Sequence, residues 1–181
     1  ISTVDIARHT LTVRKNGKVL RTIPITTGKR GFYTRQGTKV IMSRETSRQM
    51  NSETTGIGRD SAEYYNVNVK WAMRLTYSGE FLHAAPWSVG SQGRANVSHG
   101  CTGMSTANAA WLFSVSKVGD VVKYVNGSRG MEWGNGYTAW NMSFKEWSGE
   151  RADKKPGTKP ATGPRADRDH DRVPPPGPRP R

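Results

Sequence analysis

Among the 181 residues there are one cysteine and four histidines. Cys101 stands in the run Ser98-His99-Gly100-Cys101-Thr102-Gly103-Met104-Ser105. A lone Cys cannot form an internal disulfide, so it is either an inert buried thiol or one kept for its reactivity. A free thiol, with a pKa of about 8.5, is mostly protonated at neutral pH, whereas a helix N-terminus and a nearby imidazolium favour the attacking thiolate. Gly100 lets the backbone approach a substrate and turn amide N–H groups towards a developing oxyanion. One turn can therefore carry both a nucleophile and its oxyanion donors, which are the parts of a covalent acyl-transfer site.

Such a nucleophile needs a base. His9 falls in the N-terminal hairpin and His170 in the Pro-rich end of the chain, which leaves His83 and His99. Either can approach Cys101 if the strand ends meet, and spacing alone does not choose. His83, His99 and Cys101 could instead form a zinc site, but there is no second Cys and no standard zinc spacing.

The elements around these residues read as mainly β. Leu11 and Val13 alternate with polar residues, Asn16-Gly17 is the strongest two-residue hairpin signal, and Ile23 and Ile25 resume the alternation. A further strand is expected at Val40–Met42. Val67, Val69, Trp71, Met73 and Leu75 form another, which a Ser78-Gly79 turn joins to a strand ending at His83. Residues 43–66 are polar, Gly-bearing and long for a passive connection, and read as a lid loop. One helix is expected at about 106–116, with Ser105 as N-cap and Ala107, Trp111, Leu112 and Val115 on its packed face. A last strand follows Gly119-Asp120 at Val121–Val125.

Residues 127–150 carry Trp133, Trp140 and Trp147 and read as a segment packed back on a 1–126 core, with the tryptophans mostly inside. Residues 151–181 hold eight of the ten prolines, nine Lys or Arg and no aromatic residue, the composition of a disordered basic tail. The whole chain carries a net charge of +14, and the part before the tail is basic in its own right. That favours anionic partners. The basic residues are dispersed and lack a stripe with aromatic platforms, so no nucleic-acid site is read. No apolar run is long enough for a membrane-spanning helix. The chain begins at Ile1, and removal of a leader or an upstream domain is expected.

The chemistry-bearing residues also resemble a known family. His83 followed by Ser98-His99-Gly100-Cys101 resembles the signature of bacterial L,D-transpeptidases of the YkuD type. Phe81-Leu82-His83-Ala84-Ala85-Pro86-Trp87-Ser88-Val89-Gly90, Gln92-Gly93 and Asn96-Val97-Ser98 are similar to the actinobacterial branch. So are Asn16-Gly17, Thr27-Gly28, Met50-Asn51-Ser52 and Trp140-Asn141 with Trp147. The likeness covers roughly residues 1–150. It implies a YkuD-type β-sandwich with one principal α-helix after the Cys loop.

It further implies Cys101 as nucleophile, His83 as general base, and the backbone carbonyl of Ala84 holding the other imidazole nitrogen. His99 would shape the site, amides around Gly100 and Cys101 would form the oxyanion hole, and Tyr65 would be the lid tyrosine. Met50, Trp87, Asn96 and Ser98 would line the substrate groove. The family's usual Asn two residues after Cys is replaced by Gly103.

The implied reaction is ping-pong acyl transfer between peptidoglycan stem peptides outside the cytoplasm, with no metal or nucleotide cofactor, in a family whose members carbapenems acylate. Acidic wall polymers are further candidate partners. Two other classes stay open. A sortase or wall peptidase would share Cys and His, and a sortase would need an oxyanion-supporting Arg, for which Arg129 is the candidate. A non-catalytic wall-binding module would be indifferent to Cys101→Ala.

Overall fold

The Asn16-Gly17 step folds as its chemistry dictates: both residues take positive φ, 51° and 78°, the twist a two-residue hairpin turn requires. It joins β2 (Thr10–Lys15) to β3 (Lys18–Pro24), whose Leu11, Val13 and Ile23 point into the core. These strands belong to a six-stranded sheet in a computed structural model that describes residues 1–146 and Ser148. Contacts divide the chain into Ile1–Phe144 and Lys145–Arg181. Trp147 and the 151–181 tail lie outside the described residues.

The larger sheet runs β10-β4-β9-β1-β2-β3. Here β1 is Ser2–Asp5, β4 Arg35–Val40, β9 Val121–Val125 and β10 Arg129–Gly130. The smaller sheet runs β5-β6-β7-β8, with β5 Ser43–Asn51, β6 Asn66–Arg74, β7 Phe81–Ala84 and β8 Thr102–Met104. Both sheets and α1 (Thr106–Val115) share one apolar core that includes Val4, Leu11, Ile23, Met73, Leu82, Met104, Leu112 and Tyr124. Paired backbone hydrogen bonds between Thr26 and Gly103 stitch the sheets together, 2.9 Å in each direction. The mainly β sandwich with one principal helix is thus the observed architecture.

Four expectations need correction. The span 43–66 is not all loop: β5 pairs with β6 from Ser43↔Arg74 to Asn51↔Asn66. It is a polar edge strand held by its ladder, so it shows none of the apolar alternation that betrays a half-buried strand. Only residues 52–65 cross between strands, opening with a short 3-10 turn at Ser52–Thr55. The strand expected at Val40–Met42 lies earlier, as β4, because its first residues are polar.

The packed face of α1 is Ala109 and Leu112, flanked by Trp111 and Phe113, while Ala107 and Val115 are exposed. Ser105 does cap the helix, accepting the Asn108 amide. The fourth correction concerns the tryptophans. Trp133 and Trp140 are 55% and 69% exposed. Residues 127–144 are held instead by polar bonds: Asn141 exchanges two hydrogen bonds with the Thr38 backbone, and Asn135 exchanges two with Ser78.

Candidate active site

β7 and β8 run parallel in the register Leu82↔Thr102, His83↔Gly103, Ala84↔Met104. Side chains alternate along each strand, so Leu82, Ala84 and Met104 enter the main core and Phe81 and His83 face the other way. Cys101, one residue before β8, packs on that second side with Phe81, Val69 and Ala72. His83 and Cys101 are thereby carried on neighbouring strands of one sheet. Met50, on the polar strand β5, completes the same small cluster.

His83 is 6% exposed, and its Nδ1 lies 2.8 Å from the Ala84 carbonyl oxygen. A carbonyl only accepts, so Nδ1 carries the proton and Nε2 keeps its lone pair. Burial holds the imidazole below its ordinary pKa, with the Ala84 bond opposing that in part. The Trp87 ring sits 6.0 Å from the imidazole and is 59% exposed, forming an open aromatic wall beside it.

The thiol is not activated in the way the sequence suggested. β8 and Ser105 intervene along the chain between Cys101 and α1, so Cys101 does not stand in the helix's first turn or at its cap. Burial pushes the Cys101 thiol up to about 12. Its Sγ–H points at the Gly79 carbonyl, 3.5 Å away. The resting pair is therefore a neutral thiol and a neutral imidazole.

Ser98 and Gly100 shape the turn. Ser98 Oγ donates to the Cys101 carbonyl at 2.6 Å and accepts the Gly100 amide at 3.1 Å. The Gly100 N–H, expected in an oxyanion hole, is thus engaged by Ser98 here. Ser98's hydroxyl, expected to line the groove, is likewise bonded inside the turn. Gly100 has φ 125°, open to glycine and strained for any other residue, and its carbonyl accepts from Thr34 Oγ1.

Asn96, expected to line the groove, makes four hydrogen bonds. Its Oδ1 accepts the Thr27 amide, the Thr27 hydroxyl and His9 Nδ1, and its Nδ2 donates to the Ile6 carbonyl. These bonds tie Asn96 to the Thr27 loop, to His9 and to Ile6.

His99 does not approach Cys101 as a base. Its Nε2 donates to Glu63 Oε2 at 2.6 Å, and its ring packs between Phe32 and Tyr65 at 4.6 and 5.0 Å. Glu63 also accepts from Lys29 at 2.6 Å, and Lys29, more than His99, holds the carboxyl below its usual range. This clamp joins the Cys turn to the crossing residues 52–65, and it places Tyr65 beside the site. Burial and the proximity of Cys101 raise the Tyr65 phenol. Sequence reading missed Glu63, whose only signal is its place three residues before a strand.

Arg129, the sortase candidate, pairs with Glu132 on the edge strand β10 of the other sheet. No group of three or more His, Cys, Asp or Glu side chains converges among the described residues. Gly103, where the family usually has Asn, is explained by space: a Cβ there would stand 2.8 Å from Ala85 Cβ and 3.2 Å from Thr26 Cγ2.

The family model for the L,D-transpeptidase catalytic domain, YkuD, matches residues 1–123. The chain belongs to this family. It is 46% identical over 125 residues to L,D-transpeptidase 1 of Mycobacterium tuberculosis, covering 69% of this chain and 50% of that protein. It is 40% identical over 148 residues to L,D-transpeptidase 2 of the same species, covering 81% and 36%. The chain therefore spans half or less of these curated relatives. An LD transpeptidase solved in complex with imipenem superposes with a TM-score of 0.68 at 46% identity, covering 68% of this chain and 57% of that one. An L,D-transpeptidase from Mycobacterium smegmatis also superposes at 0.68, with 44% identity and coverage of 69% and 58%.

Proposed function

We propose that this YkuD-family chain is the catalytic domain of a peptidoglycan L,D-transpeptidase, with Cys101 as nucleophile and His83 as base. The observation that carries the reading is the His83 geometry: Nδ1 tied to the Ala84 carbonyl, Nε2 left as acceptor, on the strand beside the Cys101 turn. In the first half-reaction Nε2 takes the Cys101 thiol proton as sulfur attacks the L-centre carbonyl of a tetrapeptide stem. Collapse of the tetrahedral intermediate breaks the amide bond, and the proton returns from Nε2 to the departing D-alanine amine. An amine of a second stem then attacks the thioester, Nε2 removes its proton, and the thiol is regenerated with an L,D cross-link formed. These steps use only the protein's own groups.

With the Gly100 amide bonded to Ser98, the oxyanion donor in this reading is the Cys101 amide at the tip of the turn. Trp87 and Met50 line the groove, and Tyr65 stands on the cover. A site that acts on wall peptides works outside the cytoplasm, and the net charge of +14 suits a wall that bears acidic polymers.

Intact mass after incubation with imipenem tests the reading. A one-to-one adduct, absent from Cys101→Ala, is the expected result. No adduct on a protein whose thiol still titrates would turn the reading towards another thiol enzyme or a wall-binding module.

A further inference from the structure

A cluster of buried charge lies against the Cys101 turn, and the acyl-transfer steps make no use of it. Lys39 is fully buried and pairs with Glu80, itself 4% exposed. Glu80 Oε1 also accepts the Arg35 amide and the Arg35 guanidinium, each at 3.1 Å. Burying such a group is costly unless its partners and geometry are nearly complete, and replacement by apolar residues is often neutral or stabilising. A buried Lys-Glu-Arg set is therefore poorly explained by stability alone.

Three contacts tie it to the nucleophile. Glu80 follows Gly79, whose carbonyl receives the Cys101 Sγ–H, and the Glu80 amide is fixed by Thr76 Oγ1 at 2.9 Å. Glu80 Cγ lies 3.8 Å from where a Cβ on Gly100 would stand. Lys39 Nζ sits 3.7 Å above the Tyr124 ring, and Tyr124 Oη is 2.7 Å from Thr102 Oγ1, next to Cys101.

We propose that Lys39, Glu80 and Arg35 form a positioning cluster for the nucleophile, fixing the Gly79 carbonyl on which the Cys101 thiol rests and setting the field in which its thiolate forms. The inference rests on Cys101 being the nucleophile. The two central charges act oppositely: Lys39 favours the thiolate, and Glu80 opposes it. Of the other groups on the strands around the thiol, Arg35 comes from β4, His83 from β7 and Tyr124, whose phenol is raised by burial and by Cys101, from β9. Tyr65 faces it from the crossing segment, while Arg48 and Arg74 lie over the Phe81 ring that packs on it.

Because Cys101 is the sole cysteine, iodoacetamide reads its thiolate directly. The test follows alkylation rate against pH in the wild type, Glu80→Gln, Lys39→Met and the double variant, with near-ultraviolet circular dichroism as the folding check. At pH 8 the rate is expected to rise about three- to tenfold in Glu80→Gln and to fall by a similar factor in Lys39→Met. In the double variant it should return to within about twofold of wild type. A merely structural role moves both single variants in the same direction or leaves both unchanged, and either result in folded protein overturns the proposal.

If a single variant does not fold, the double variant decides through the Raman S–H stretch. A shift from the hydrogen-bonded towards the free-thiol band is expected, and an unchanged band overturns the proposal. A wild type that alkylates normally but is not acylated by imipenem defeats the transpeptidase reading instead, leaving the alkylation comparison to judge the cluster.

Discussion

Two clusters of charge bear on the Cys101 turn, and they use the same residue types in opposite surroundings. Glu80 with Lys39 and Arg35 is shut away from water, at most 11% exposed at any of the three side chains. Glu63 with Lys29 and His99 is a quarter to over a third exposed. Coulomb attraction is strong and desolvation costly in the first, while water screens both in the second. The buried set therefore makes a fixed floor. The exposed set makes a clasp between the Cys turn and residues 52–65 that costs little to open.

The comparison breaks most visibly at Glu80. Glu80→Ala strands Lys39 in the interior and is expected to remove about 3–5 kcal/mol of stability by denaturant melting. A loss no larger than that of an exposed pair would put the floor on the same footing as the clasp. Gly103→Ala probes the packing on β8: its methyl meets Ala85, and a cost of about 1–3 kcal/mol is expected. Tyr124→Phe removes the hydroxyl shared with Thr102 and should cost about 1 kcal/mol.

On the clasp, Glu63→Gln is expected to leave the melting temperature unchanged within error while altering the rate of imipenem acylation and weakening its dependence on salt. A large drop in melting temperature would show the clasp to be structural.

Acid should act more gently, on the clasp and on the His83 imidazole. The Glu63 carboxyl is lowered in the folded state, so its contribution is present above the ordinary carboxylate pKa and fades as pH falls through the lowered value. The imidazole of His83 is also lowered, so the unfolded chain takes up its proton first, and stability declines as pH drops below 6.5. The same burial keeps Nε2 a free base there. The acid limb of imipenem acylation is therefore expected below pH 6.5, and a limb at or above that value contradicts a buried His83 base.

The parts of the fold legible in the sequence are those decided locally. The Asn16-Gly17 hairpin and the Ser105 cap each rest on neighbouring residues, and each is present, whereas the alternation read from Val67 to Met73 breaks at Trp71, whose φ is 58°, so Val67 and Val69 join one cluster and Trp71 and Met73 the other. The strand β5 was not legible, because an edge strand held by its backbone ladder needs no apolar pattern. Trp133 and Trp140 misled because aromatic character signals burial only on average. In the site, spacing alone left His83 and His99 both open as partners of Cys101, and only the family likeness pointed to His83. The occupations of Ser98, Gly100 and Asn96 were not legible, since a hydrogen-bond partner up to 90 residues away leaves no trace beside the donor.

The sequence by itself determined the residue inventory and the short-range geometry: one thiol, two usable imidazoles, and a glycine where the turn demands positive φ. Only the tertiary structure decided which imidazole faces the thiol side of the sheet and which is drawn away to Glu63. It alone decided that the thiol rests neutral over a buried ion cluster. The physical reason is that protonation and hydrogen bonding depend on burial and on charges a few ångströms away, and the groups that set them come from β4, β7, β9 and the 52–65 crossing, far apart along the chain.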